Sequence, residues 1–542
     1  MGANRDILVF KSKKIGLEEL LEEVLKKSFK PQDYYEIAAI LESFGWNDSR
    51  AAENFGVEDV FQLAMILWDM IKEKVVFEPF VEDNNISFFK QLILTIKSFL
   101  RGVIFALPMA ISVFSMLTLR FSLWSYENLT TELATAIALG TILSFMAIGG
   151  FTQAIARRGF FYLSQNFYNI AKRITYYFIK LGYVACIVFA LLFFIFNKLY
   201  QNFPFNMYIV TILYFLFLSS NWLSVTVMYI LRRELTFTAL ISAGILIVYL
   251  LFIKLRLNII VSQVIALVLI SVLGLLLVIY YFNSAEKKLE KGIAPPLPRK
   301  SIMLYSLVPY FSYGFLYFTF LFVDRVIAWS TNNSNMPYII WFRGQYELGI
   351  DFALLMMIIP MGFNEVIVTR LMENLEVAQK NSLSHEVNVL SSKYLKMYLN
   401  SIILAILSSI VSAEVVYNIV VYINNSSNTL IHTNYLNDPI TRFVFVIALV
   451  SYSILSVALT NAVILFSLSQ PEMVTKIIKL SVVIDITVGF MLTRWIAYVH
   501  AEQGYQYAIF GLLIGAIVFA AGSTRYVIKV LKNLDYYIYA SL

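Results

Sequence analysis

Acidic side chains inside apolar runs raise the first chemical question about this chain. An ionisable residue at the centre of a membrane span costs about 2.5–3.5 kcal/mol on insertion scales, so each one needs a reason. Asp485 lies in the apolar run 474–498. It is about 11 residues from the start, or ~16 Å along a helix, close to a bilayer midplane. A carboxyl at that depth suits three roles: binding a coupling ion or proton, forming a wall of a transport cavity, or hydrogen bonding that holds two helices together. Asp324 and Arg325 end the run 303–329. About 21 residues of helix place them near the outer surface. Adjacent residues on a helix point about 100° apart and do not face each other, so each needs another partner. Asp351, Glu414 and Arg494 fall at comparable outer depths, which predicts a charged cluster on the outer side. The competing reading is that Arg325 snorkels to the interface. Glu365 lies about 18 residues into its run, toward the opposite side. Gln153 occupies the matching place in an earlier run. Together they could line a polar path for a hydroxyl-rich substrate, or simply bond helices together. Asn221 and Asn461 share that ambiguity, weighted toward structure.

Other chemistries are poorly supplied. His385, His432 and His500 have no metal-ligand spacing. Cys186 is the only cysteine, so there is no intrachain disulfide and no thiolate metal site. No glycine loop cradles phosphate. Glu127 and Glu132 do not form the close carboxylate pair of a sugar transferase using lipid-linked donors. No catalytic, metal or cofactor residues are therefore assigned, and a carrier is expected rather than an enzyme.

The elements that position these residues follow from composition. Of 542 residues, 59% are hydrophobic and 14% charged, against about 45–50% and about 25% in soluble chains. That much apolar surface belongs against membrane lipid. Apolar runs recur near 99–120, 131–154, 176–197, 206–230, 234–254, 258–283, 303–329, 347–370, 398–423, 440–467, 474–498 and 505–530. Each is long enough to cross ~30 Å of hydrocarbon as a helix. Every second loop is basic: Arg157, Arg158, Lys172 and Arg173 in the first, Arg232 and Arg233 in the next, then Lys287, Lys288 and Lys291. The pattern continues with Arg370, Lys393 and Lys396, then Lys476 and Lys479. Basic loops stay in the cytoplasm, which predicts an even span count with both termini cytoplasmic. The net charge of +7 thus reports topology and not a nucleic-acid partner. Met1 to Lys14 has no apolar signal-peptide core, so the first span is expected to act as its own signal.

The expected fold is an all-α membrane protein of about twelve transmembrane helices in two six-helix pseudo-repeats, plus a small helical cytoplasmic N-terminal domain. The boundaries are 1–95 for that domain, 96–283 for the first half, 284–302 for a cytoplasmic linker with Pro295, Pro296 and Pro298, and 303–542 for the second half. Repeat traces link the halves. Lys97-Ser98 answers Lys300-Ser301, Pro108 answers Pro309, and Gly150-Phe151-Thr152-Gln153 answers Gly362-Phe363-Asn364-Glu365. Pro108 and Pro309 are candidate bends for alternating access, or fixed kinks. In the N-terminal part, Ile37, Ile40, Leu41 and Phe44 form one stripe and Val60, Leu63, Ala64 and Leu67 another. Gly45 and Gly56 punctuate them, and Asn47 or Asp48 is a candidate helix cap.

Twelve spans in two halves, each opening on a proline-bent helix, resemble the multidrug/oligosaccharidyl-lipid/polysaccharide exporter superfamily, which includes the MATE-type extruders. Phe322-Val323-Asp324-Arg325-Val326-Ile327-Ala328-Trp329, the stretch Asp351 to Arg370, and the run from Arg525-Tyr526 to Asp535-Tyr536-Tyr537 resemble the Pel exopolysaccharide exporter family. In that family an acidic–basic pair followed by an aromatic is typical here, and this chain has Arg where Lys is common. The resemblance covers most of 95–540 and is weakest in the first half. It implies a multi-pass transporter of the cytoplasmic membrane that exports a polysaccharide or lipid-linked glycan by rocking of the halves. It also implies a cytoplasmic glycosyltransferase and other exopolysaccharide assembly proteins as partners. The N-terminal domain departs from the family pattern and bears on partner choice. An ion-coupled small-molecule extruder of the same fold, and a multi-span glycosyl- or acyltransferase, are the alternatives.

Overall fold

The computed structural model describes residues 16–17, 19–25, 27, 31, 33–74, 88–289, 297, 299–331, 336–381, 387–425, 435–499 and 504–539. His385, His432, His500 and the prolines of the linker lie outside them. The chain divides into two compact units, Met1–Ile86 and Ser87–Leu542.

In the first unit, α1 (Tyr34–Ser43) is capped by Asp33, whose side chain accepts from Glu36 N at 2.9 Å. Asn47 caps α2 (Asp48–Phe55) by accepting from Arg50 N at 2.9 Å. Gly56 ends α2 at φ 69°, where a side chain would be strained. Helix α3 (Val60–Lys74) buries Val60, Leu63, Ala64 and Leu67 against Ile37, Ile40 and Leu41, with Phe44 packed beside them. Both expected stripes therefore form a single small core.

The second unit is built of helices joined by non-helical segments such as 120–130 and 336–343. Its first half contains α4 (Phe88–Leu119), α5 (Thr131–Ser164), α6 (Tyr168–Tyr200), α7 (Phe205–Ile230), α8 (Glu234–Tyr249) and α9 (Ile259–Leu289). Residues 88–95 belong to α4, so that membrane helix starts before the expected boundary at 96. A π-turn, Leu250–Lys254, extends α8, and Arg256 at φ 55° makes the tight turn into α9. The second half contains α10 (Lys300–Trp329), α11 (Gly344–Leu354), α12 (Ile358–Asn381), α13 (Val387–Asn425), α14 (Pro439–Ser467), α15 (Pro471–Val499), α16 (Ile509–Lys532) and α17 (Leu534–Tyr539). A 3-10 turn, Leu355–Met357, joins α11 to α12 as one span.

Among the described residues, eleven helices are long and apolar enough to cross a membrane. The twelfth at an expected position is α15, with 29 residues. It carries Lys476, Lys479, Asp485 and Arg494, and these charges lower its apolar content. At 1.5 Å per residue it is still ~43 Å long, enough to span.

The halves meet along α5–α10 and α4–α12. Both seams are built from the repeat read in the sequence. Phe151 meets Phe311 edge-on at 5.0 Å, and its counterpart Phe363 meets Phe99 at 5.2 Å. A Cβ on Gly150 would fall 2.7 Å from the Phe311 ring, and one on Gly362 2.6 Å from Phe99. Only glycine permits this approach, so the duplicated Gly-Phe dipeptide creates two equivalent joints between the halves. Pro108 and Pro309 lie inside unbroken helices, each on the first helix of its half. Thr475 Oγ1 donates to the Pro309 carbonyl at 3.0 Å, tying α10 to α15.

Candidate functional site

A buried set of charged side chains lies where α10, α11 and α15 converge. Asp324 and Arg325 project from α10 in different directions, and each finds its own partner. Arg325 Nη1 donates to Glu347 Oε2 at 2.5 Å, and Nη2 to Asp351 Oδ1 at 3.0 Å. Glu347 and Asp351 are four residues apart on α11 and so present one face to the guanidinium. The other Glu347 oxygen accepts from Trp329 Nε1 at 2.8 Å. Tyr346 OH donates to Asp324 Oδ2 at 2.8 Å. Asp324, Arg325 and Glu347 are buried, whereas the Asp351 side chain is 48% exposed and opens the cluster on one side.

Asp485 joins this set from α15. Its backbone and carboxyl press against α16, where a Cβ on Gly511 would lie 2.5 Å from Asp485 Oδ1. Gly511 and Gly515 form a small-xxx-small face that lets α16 approach this closely. Asp485 is fully buried, and neither of its carboxyl oxygens has a hydrogen-bond partner among the described residues. Asp324 Oδ1 is also without one. Phe320, one turn before Asp324 on α10, and Asp485 both lie against Gly515 of α16, which brings the two acids to neighbouring positions. Four acids, three of them buried, thus share one arginine. Burying carboxylates without partners costs several kcal/mol or more each by general estimates. A proton or small cation supplies the missing positive charge most simply. Among the described residues, no group of three or more His, Cys, Asp or Glu side chains is placed to hold a metal ion.

The structure separates the other expected members from this cluster. Arg494 caps the end of α10, donating to Ile327 O at 3.2 Å and Ser330 O at 3.0 Å, with its guanidinium 4.2 Å from the Phe490 ring centroid. These carbonyls belong to the last turn of the helix, where a cation is favoured. Glu414 is exposed and bonds Asn418 on its own helix. Arg325 does not snorkel, because buried ion pairs hold it. Asp324 is buried, as Asp485 is. Helices of unequal length start at different heights, so depth counted along one helix is not depth in the bundle.

Glu347 and Tyr346 are the residues that sequence reasoning missed. The eighth span was expected to begin at 347, so both stood at its edge. Helix α11 begins at Gly344, and the four-residue spacing of Glu347 and Asp351 was the available signal.

At the opposite end, polar contacts tie the halves together. Arg101 of α4 lies 3.7 Å from Glu365 of α12 and 4.0 Å from Glu234 of α8. Arg157 donates to Ser469 at 3.2 Å and Arg370 to Thr95 at 2.7 Å. Gln153, the counterpart of Glu365, packs its stem on Gly314. Asn461 is satisfied by Tyr398, Ser523 and Thr524, a structural role. Between the halves, Phe145 stacks on Trp222 at 4.3 Å and on Phe318 and Phe322 at 5.2 Å. An apolar cleft of about 350 Å³ opens between α4 and α13, lined by Ala110, Ile111, Phe114, Leu355, Ile419 and Ile423.

No protein-family model and no curated protein matches the sequence. The fold does have solved counterparts. The eukaryotic MATE transporter AtDTX14 aligns over 83% of this chain and 99% of its own, with TM-score 0.56 at 12% identity. The Vibrio cholerae MATE transporter VcmN aligns over 83% and 98%, with TM-score 0.55 at 12% identity. An outward-facing multidrug resistance MATE family transporter of the MOP superfamily aligns over 80% and 96%, with TM-score 0.51 at 15% identity. The membrane unit therefore has the MATE transporter fold.

Proposed function

We propose that this chain is a cation-coupled exporter that carries a polysaccharide or lipid-linked glycan across the cytoplasmic membrane by alternating access. The observation that carries the coupling is Asp485, fully buried beside Asp324 with unpartnered carboxyl oxygens, in a protein with a transporter fold. A proton or Na⁺ taken up there changes the local charge by one, which is the differential interaction a two-state carrier requires. The glycan assignment rests on the seventh-span sequence Asp324-Arg325 to Trp329. The apolar cleft between α4 and α13 suits the hydrocarbon tail of a lipid-linked unit. Both termini lie in the cytoplasm, and a cytoplasmic glycosyltransferase with other exopolysaccharide assembly proteins supplies the cargo.

A small-molecule extruder is the second reading, favoured by the aromatic stack between the halves and by the multidrug transporters of the same fold. Inside-out vesicles separate the two. Glycan and dye uptake are measured with and without a proton or Na⁺ gradient, in the parent and in Asp485→Asn and Asp324→Asn. The glycan reading expects gradient-driven glycan uptake that both substitutions abolish. Dye uptake lost in both variants while glycan export stays intact in cells would overturn it.

A further inference from the structure

Trp329 belongs to two sets of contacts at once. It is fully buried at the end of α10. Its indole N–H donates to Glu347, the carboxylate that also holds Arg325. Its carbonyl accepts from Trp341 N at 3.0 Å, and its ring lies 5.6 Å from that of Phe342. Trp341 and Phe342 belong to the strap 336–343, which precedes α11. Arg343 fastens the strap's end, donating to Thr331 O at 3.3 Å and lying over the Tyr505 ring at 4.9 Å.

The strap crosses to the first half. Phe342 N donates to Thr135 Oγ1 at 3.1 Å, and Tyr338 OH donates to Glu132 Oε1 at 2.8 Å. The Tyr338 ring also lies 5.9 Å from Phe203. Thr135, Phe342, Trp329, Glu347 and Arg325 thus form an unbroken line of contacts from the start of α5 to the carboxylate cluster.

We propose that Trp329 is the positioning residue through which the charge state of the Asp324–Asp485 cluster sets closure of the strap across the two halves. This rests on the cation-coupled reading above. Neutralising Asp324 or Asp485 changes the field that Arg325 and Glu347 share. A buried indole N–H left without an acceptor costs about 1–3 kcal/mol, so Trp329 follows Glu347. The strap follows Trp329, because a backbone hydrogen bond and a ring contact tie it there. The strap is then the two-state element that the cluster biases.

The test uses the full chain in lipid nanodiscs, with spin labels at Gln201→Cys and Ile339→Cys, both exposed positions on opposite sides of the strap contact. Interlabel distances are recorded in acidic and alkaline buffer, with and without Na⁺. The parent is expected to shift its distance distribution with the cation. Trp329→Phe, which keeps an aromatic ring, though a smaller one, and removes the N–H, is expected to hold one distribution under all conditions. It should also lose gradient stimulation of glycan uptake by about tenfold. A Trp329→Phe protein that shifts like the parent overturns the inference, even if it melts earlier. If the parent does not shift while uptake still follows the gradient, the inference fails and cation coupling stands. If uptake ignores the gradient as well, both fail.

Discussion

Arg325 Nη1 lies 2.5 Å from Glu347 Oε2, a buried ion pair between α10 and α11. Among the described residues it is the only full positive charge shared by the four acids of the cluster, so the pair also shields Asp351 and Asp324. Removing one partner of such a pair leaves an uncompensated charge. Arg325→Leu is expected to cost about 3–5 kcal/mol. Arg325→Leu combined with Glu347→Leu should lose much less than the sum of the single changes. Thermal unfolding of the purified protein in detergent would give the comparison, and additive losses would contradict it.

Asp485→Asn removes a buried charge and keeps its shape. Thermal stability is expected to stay level or rise, while gradient-driven uptake falls by about tenfold or more. Gly511→Ala attacks the same place by a different route. Its new methyl meets the Asp485 carboxyl and backbone, so a loss of about 1–3 kcal/mol is expected.

The paired joints between the halves offer a symmetric test. Gly150→Ala drives a methyl into Phe311, and Gly362→Ala drives one into Phe99. Each is expected to cost about 1–3 kcal/mol and to slow transport. Phe99→Leu should restore Gly362→Ala but not Gly150→Ala. Rescue that crosses between the two joints would contradict their independence.

The strap carries a pH signature of its own. The hydrogen bond to Glu132 raises the pKa of Tyr338 above its ordinary value of 10.0. A raised tyrosine pKa means the neutral phenol is the form the contact prefers. Its contribution is complete below the ordinary value and is lost as pH climbs through the raised one. Spin labels at 201 and 339 should therefore separate in strongly alkaline buffer, and Tyr338→Phe should abolish that alkaline step. An alkaline step that persists in Tyr338→Phe would assign it elsewhere.

Much of the architecture was legible in the residues. Apolar runs set the helices, because only a closed backbone survives in hydrocarbon. The Gly-Phe repeat was visible as letters, and its seam follows from glycine's lack of a side chain. Asp324, Arg325, Asp351 and Asp485 stood out because charge is costly in lipid. Glu347 did not, because it lies beside a helix start where charge costs little.

By itself, the sequence determined which segments cross the bilayer, that they come in two related halves, and which buried charges demand an explanation. These are properties of single helices and of their transfer from water. Tertiary structure alone decided the partners. It placed Asp485 beside Asp324, gave Arg325 to Glu347, sent Arg494 to the end of α10 and left Glu414 outside. The physical reason is that helix offset and glycine-mediated approach set the distances between helices. Such distances are properties of pairs, and no single run of residues encodes them.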